Sequence, residues 1–415
     1  MIYVRNKEGK ALMPSERGGR IGYLLRHGKA HVVSRVPFVV QLDYESTTYT
    51  QEVSLGIDAG SKHIGVSASS ENRELLAAQV ELRSDVVNLL STRMELRRAR
   101  RNRKTRYRKV RFDNRKKKDG WLAPSIEQKV DSHLKVMRLV HKFLPITKTT
   151  IEVAQFDAQK IKNTEINGKE YQQGEQMGFW NVREYVLARD GHRCVHCNGK
   201  RKDPILNVHH LESRKTGGNS PSNLVTLCET CHKAYHRGEF ELKIKRGNTL
   251  RDAAVMNIMR WSVYERAKEE FENVHLTYGY VTKHTRIENG IAKTHAADAF
   301  CIAKNVHARR SKSFFMCRCV PRHTRALHVA TPKKGGIRRS TIASHKIGKS
   351  RFQRFDMVRW KGKECFIFGS TNGRPVLRNV DGKLVTEQPS VNIKTIKFLE
   401  RIRNNILVEV RASEN

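Results

Sequence analysis

Apolar residues recur along this chain at two spacings, and the changes of spacing mark its elements. The alternation in Val53-Ser54-Leu55-Gly56-Ile57-Asp58-Ala59-Gly60 predicts a strand ending in a turn, with further strands over 64–68 and 75–82 at hairpin spacing. Ile126, Val130, Leu134, Met137, Val140 and Leu144 lie three or four apart, which predicts an amphipathic helix stopped by Pro145. Residues 149–154 read as a strand that carries Glu152 inside an apolar run. The pattern then lapses over 158–176, where Gly168, Gly174 and many polar residues predict a linker. Helical spacing returns in 250–310, with Met256, Met259, Val263 and Ala267 on one face, a strand over 275–281 and a helix over 295–306. Near the N-terminus a helix is expected over 20–27 and strands over 31–34 and 38–42; beyond 311 the β-like runs are 365–368 and 406–410.

Composition adds a partner to this outline. The 415 residues suggest two to four domains, and 80 Lys and Arg against 41 Asp and Glu leave a formal charge of +39. Such an excess favours a polyanion, because phosphates release condensed counterions when bound. The charge is concentrated: 14 of the 22 residues in 97–118 are Lys or Arg, so this stretch cannot build a core. Helix formers precede it, and a basic helix lying on phosphates is expected. No apolar run is long enough to span a membrane, and no signal-like segment follows Met1. A cytoplasmic location is the expectation, with the eight cysteines reduced.

Two groups of residues carry chemistry. Cys194-x2-Cys197 and Cys228-x2-Cys231 form two knuckles whose four thiolates suit a tetrahedral structural Zn²⁺. Inside that frame lie His209, His210, Asn223, His232 and His236; the last two are one helical turn apart and can meet one ion. Asp58 ends a strand, Glu152 sits within one, and His295 and Asp298 are three apart on a helix. Together these acids can clamp hard divalent ions for phosphoryl displacement. A carboxylate such as Glu152 in a buried strand is costly unless paired or metal-bound.

Val208-His209-His210, Gly217-Gly218, Asn223-Leu224 and Leu227-Cys228-x2-Cys231-His232 resemble the HNH (ββα-metal) nucleases. That resemblance implies metal ligation by His209, His232 and His236, with His210 as general base and Asn223 orienting it or the metal loop. Leu55-Gly56-Ile57-Asp58-x-Gly60, Ile151-Glu152-Val153 and His295-x2-Asp298-Ala299 resemble the RuvC branch of the RNase H fold, which implies Asp58, Glu152, His295 and Asp298 as a catalytic set binding Mg²⁺. The order of these parts, with Leu12-Met13-Pro14 near the start, resembles the IscB family of transposon-encoded RNA-guided nucleases.

The resemblance implies an α/β architecture: a split RNase H-like (RuvC) domain with an inserted HNH domain, an arginine-rich bridge helix and small α+β terminal regions. The expected divisions are 1–50, RuvC segments 51–92, 120–160 and 246–310, a bridge helix 93–119, a linker 161–176, the HNH domain 177–245 and a basic region 311–415. Arg97, Arg98, Arg100, Arg101, Arg103, Arg106, Arg108 and Arg111 would contact nucleic acid. The C-terminal Arg351, Arg354, Arg359 and Lys361 would contact guide RNA and a target-adjacent motif. The implied partners are an omega-type guide RNA and double-stranded target DNA, bound by a protein monomer without a membrane. The implied catalytic ion is Mg²⁺ at both nuclease centres. Two rival classes are a guide-independent HNH endonuclease and a nuclease-inactive RNA-guided binding protein.

Overall fold

Alternating apolar residues near the N-terminus close a small sheet. β1 (Tyr3–Arg5), β2 (Ala30–Ser34) and β3 (Val39–Leu42) pair with β3 in the centre, parallel to β1 and antiparallel to β2. Helix α1 (Gly18–Arg26) adds Ile21 and Leu24 to the Val4, Val40 and Leu42 core. This computed structural model describes residues 1–101, 121–153, 182–212, 221–242, 251–321, 347 and 350–412. The chain divides into two compact units, Met1–Gln155 with Ile258–Asn415, and Phe156–Asn257.

The larger unit is organised by a seven-stranded mixed sheet. β4 (Ser54–Ala59), β5 (His63–Ser69) and β6 (Glu74–Glu81) form an antiparallel meander. β7 (Lys148–Val153) lies parallel to β4 on its other side. α2 (Val86–Arg101) leaves the meander, and α3 (Pro124–His141) precedes β7. β4 and β5 are buried along nearly their whole length, as expected for strands covered on both faces. One cover is α3, whose Val136 and Val140 line an apolar cavity with Val66, Leu76 and Val80.

The smaller unit is built from α4 (Val182–Arg189), the antiparallel hairpin of β8 (Leu206–His210) and β9 (Leu224–Cys228), and α5 (Glu229–His236). Its apolar cluster consists of Leu227 with Cys194, Cys228 and Cys231, flanked by half-buried Val195, Leu206, Phe240 and Leu242. Val186, Leu187, Leu224, Val225 and Ala234 are buried as well, and the thiolates are part of this limited core among the described residues.

After it the chain forms α6 (Arg251–Glu270) and β10 (Val274–Tyr278), which extends the large sheet beside β7. α7 (Gly279–Glu288) and α8 (His295–Ile302) follow, and α8 covers the opposite face of β4 and β5. Its approach depends on two glycines: a Cβ on Gly56 would stand 2.0 Å from the Ala299 carbonyl oxygen, and one on Gly65 1.9 Å from that of His295. Gly65→Ala must therefore push α8 from the sheet, costing about 1–3 kcal/mol or more in urea unfolding. Gly22→Ala, in α1 with open space around its Cβ position, should cost nothing and serves as the control.

Several elements depart from the sequence pattern. The strand expected over 275–281 ends at Tyr278, and Tyr280 and Val281 belong to α7. The helix expected to 306 ends at Ile302, because Lys304 takes a left-handed conformation with φ 68° that stops it. The stretch expected to be helical from 93 opens within α2, which already starts at Val86; Arg97 and Arg98 are exposed there, while Arg103, Arg106, Arg108 and Arg111 lie outside the described residues. The helical course extends to Arg100 and Arg101.

A boundary at 311 also fails. β11 (Ser313–Cys319) lies parallel to β6 and β16 (Ile406–Ala412) antiparallel to β11, so the large sheet runs β10-β7-β4-β5-β6-β11-β16. Between them β12 (Met357–Trp360), β13 (Lys363–Thr371), β14 (Arg374–Arg378) and β15 (Ile396–Glu400) form a separate antiparallel sheet with Val358, Cys365, Ile367 and Leu377 in its core. Among the described residues no helix is long and apolar enough to cross a membrane.

Candidate nuclease centres

In the smaller unit, Cys194, Cys197, Cys228 and Cys231 place their sulfurs within 4.8 Å of one another. The Cys197 and Cys228 sulfurs are 3.9 Å apart, close to the edge of a tetrahedron with Zn–S distances of about 2.3 Å. Hydrogen bonds to the Cys197 sulfur oppose burial and bring its thiol down to about 7, which favours the ligating thiolate. This donor set fits structural zinc.

Beside it, β8 and α5 bring His209, His232 and His236 together, also within 4.8 Å. The Nε2 atoms of His232 and His236 are 3.3 Å apart. His209 is buried with its Nε2 lacking any hydrogen-bond partner, as an atom waiting for a ligand would be. Burial, then repulsion from His232 and His236, lowers its pKa to about 4 and keeps the imidazole neutral. Three imidazoles fit a divalent transition ion more closely than the expected Mg²⁺. His210 follows on the strand and therefore points to the opposite face. Fully buried Asn223 accepts from the Glu212 amide at 2.8 Å and donates to the Glu212 carbonyl at 3.1 Å. It thereby ties Glu212, just after β8, to the residue before β9.

In the larger unit, Asp58 from β4, Glu152 from β7, and His295 and Asp298 from α8 converge from stretches far apart in sequence. Asp58 shares the α8-facing side of β4 with Gly56, two residues earlier. His295 Nδ1 donates to Asp58 Oδ2 at 2.7 Å, and that bond raises the His295 pKa. Thr294 caps α8 by accepting from the Ala297 amide at 3.0 Å, which fixes the helix start where His295 and Asp298 stand. Glu152 is raised by burial and by the Asp58 charge, although Arg260 opposes this; Asp298 is raised by burial and then by Asp58. These groups interact electrostatically, yet their oxygens are not gathered like the other two sets among the described residues. Arg260 bridges Glu152 and Asp58 at 3.1 Å and 3.8 Å, and Arg286 binds Asp298 at 3.1 Å. The buried oxygen donors fit a hard divalent cation such as Mg²⁺.

Arg260, Arg286 and His133 carry no motif. Arg260 had one visible signal, since it sits four residues after Met256 on the apolar face of α6. A charge there calls for a buried partner.

Residues 2–174 match the family described as RRXRR protein, and residues 194–238 match HNH endonuclease. Anaredoxin from Nostoc sp. (strain PCC 7120 / SAG 25.82 / UTEX 2576) is 36% identical over 69 residues, 16% of this chain and 84% of that protein. Streptococcus thermophilus Cas9 in complex with the AGAA PAM is 16% identical with a TM-score of 0.30, covering 44% of this chain and 26% of its own. The Type II-C Cas9 enzyme from Actinomyces naeslundii is 10% identical with a TM-score of 0.24, covering 61% and 60%. This chain thus spans about a quarter of the length of the first Cas9 structure.

Residues 194–238 are thus an HNH endonuclease domain framed by a four-cysteine cluster, which supports a nuclease. The RRXRR match that precedes this domain supports, more narrowly, a likeness to the IscB-like nucleases.

Proposed function

We propose that the protein is an RNA-guided endonuclease of double-stranded DNA, with the HNH centre cutting the guide-paired strand and the carboxylate centre the displaced strand. The observation that carries this reading is the convergence of Asp58, Glu152, His295 and Asp298 from three separated segments. A guide-independent HNH endonuclease has no use for such a second centre. The sheet order, a β4–β5–β6 meander extended by parallel β7 and β10, supports the RuvC-type assignment of these segments.

In this reading His210 takes a proton from the attacking water while Asn223 holds Glu212 beside the start of β9. His209, His232 and His236 hold a divalent ion, and Asp58, Glu152 and Asp298 hold Mg²⁺. When bound, such ions stabilise charge on the phosphate and lower the pKa of water. His295, hydrogen-bonded to Asp58, keeps that carboxylate oriented. Arg97 and its neighbours in the basic helix lie on the backbone of the guide and heteroduplex, whose sequence is read by base pairing. A cytoplasmic ribonucleoprotein with one copy of the chain completes the proposal.

Protein purified without nuclease treatment should carry one abundant structured RNA, identified by sequencing the copurified nucleic acid. Random fragments would favour the guide-independent class.

A further inference from the structure

Arg260 is an unexpected occupant of the carboxylate centre. Its Nε donates to the Ala59 carbonyl at 2.8 Å, while Nη2 lies 3.1 Å from Glu152 Oε1 and 3.8 Å from Asp58 Oδ1. All three side chains are largely buried, that of Arg260 being 17% exposed. Without a cation, the two neighbouring carboxylates would repel each other in a medium that screens poorly. Arg260 supplies that cation. A small divalent ion, however, bonds carboxylate oxygens at about 2.0–2.1 Å and competes for the same charge. The guanidinium must therefore give up at least part of its bonding when such an ion binds there.

A second observation concerns where it can go. His133 on α3 is completely buried, and its Nδ1 donates to the Lys129 carbonyl at 2.8 Å. The ring's other nitrogen, Nε2, is then an acceptor, and it has no hydrogen-bond partner. Leaving such a group unpaired in the interior is unfavourable. His133 lies within electrostatic reach of both Asp58 and Arg260, and its burial keeps the ring neutral, with a pKa of about 4. The helices carrying the two residues are held together: Arg266 bonds Glu127 at 2.7 Å and 2.9 Å, and Arg138 bonds Glu270.

We infer that Arg260 is a resident cation that exchanges partners, neutralising Asp58 and Glu152 in the metal-free protein and moving its guanidinium onto His133 Nε2 when divalent ions take the carboxylates. The exchange keeps the carboxylates ionised and parted before loading, and it gives the displaced guanidinium an acceptor. Arg260 and His133 are thus positioning residues that set metal affinity. This inference rests on the proposed ligand role of Asp58, Glu152 and Asp298.

The test is Mn²⁺ binding to the full chain, followed by the electron paramagnetic resonance signal of free Mn²⁺, in a His232→Ala background that silences the three-histidine centre. Asp58→Ala should abolish the remaining site; if it does not, the ligand reading itself fails, whatever Arg260 does. With that established, Arg260→Gln should tighten Mn²⁺ binding about tenfold by removing a competing charge, and should lower the melting temperature in chelator. Arg260→Lys, which keeps the charge but not the three-point attachment, should show a smaller gain and guards against a Gln variant that fails to fold. His133→Phe should weaken Mn²⁺ binding when Arg260 is present and have no effect in Arg260→Gln, the coupling expected of partners. Unchanged or weakened binding in both Arg260 variants, or a His133→Phe penalty that persists without Arg260, would overturn the exchange.

Discussion

Asp58→Ala should nick only the guide-paired strand of a matched target, and His210→Ala only the displaced strand. Asp58 accepts from His295 and lies beside Arg260, so its loss removes one proposed metal ligand and takes an anion from both of these side chains. The displaced strand then goes uncut. Because that vacancy also leaves the buried Arg260 with only one of its two carboxylates, Asp58→Asn is the companion variant that preserves shape. His210 belongs to the smaller unit, and its replacement removes a proton acceptor worth about 10²–10⁴ in rate while leaving the carboxylate centre untouched. On supercoiled plasmid with a matched guide, wild type should give linear DNA and either variant open circles, with strand-labelled ends showing which strand was cut. The double variant should bind without cutting. A single variant that still linearises, or two that nick the same strand, would refute the assignment of centres to strands.

The second large effect is structural. Cys194→Ser should unfold the smaller unit and release its zinc, whereas His232→Ala should keep the zinc and lose cleavage of the guide-paired strand. Cys194 is buried against Leu227 and the other thiolates, so the metal ligands are themselves part of the unit's apolar core. Metal binding to such sites supplies an apparent 10–16 kcal/mol, about the whole stability of a small domain. Elemental analysis and protease digestion give the two readouts. Equal zinc loss in both variants would mean that the cysteine and histidine sets are one site.

Local signals made much of this molecule legible. Asp58, Glu152 and Asp298 stood out because each interrupts or terminates an apolar run, and the cysteine knuckles because their spacing has few other uses. The structure adds the reason for Gly56 and Gly65, which a motif can name but not explain: the backbone of α8 lies against them. Features set by tertiary pairing were not legible. β11 became part of the large sheet through its neighbours β6 and β16, although 313–319 mixes aromatic, sulfur and basic residues without clear alternation. Aromatic and β-branched residues in 278–281 suggested a continuing strand, yet the chain turns into α7 where Gly279 passes Glu152. Arg260 and His133 left weaker traces still, since a buried charge and an orphan nitrogen acquire meaning only from their surroundings.

The pairing of β11 with β16 also governs how this chain can be shortened. Trimming from the C-terminus would strip an edge strand and bare the backbone of β11, inviting edge-to-edge association of copies. The four-stranded sheet between these strands is topologically an insertion, so a smaller variant would require internal excision with a new β11–β16 connection. Even that graft would expose Val320 and Leu407, which share a cluster with Phe355, Met357, Phe366 and Val380. Polar replacements at those two positions would have to accompany it.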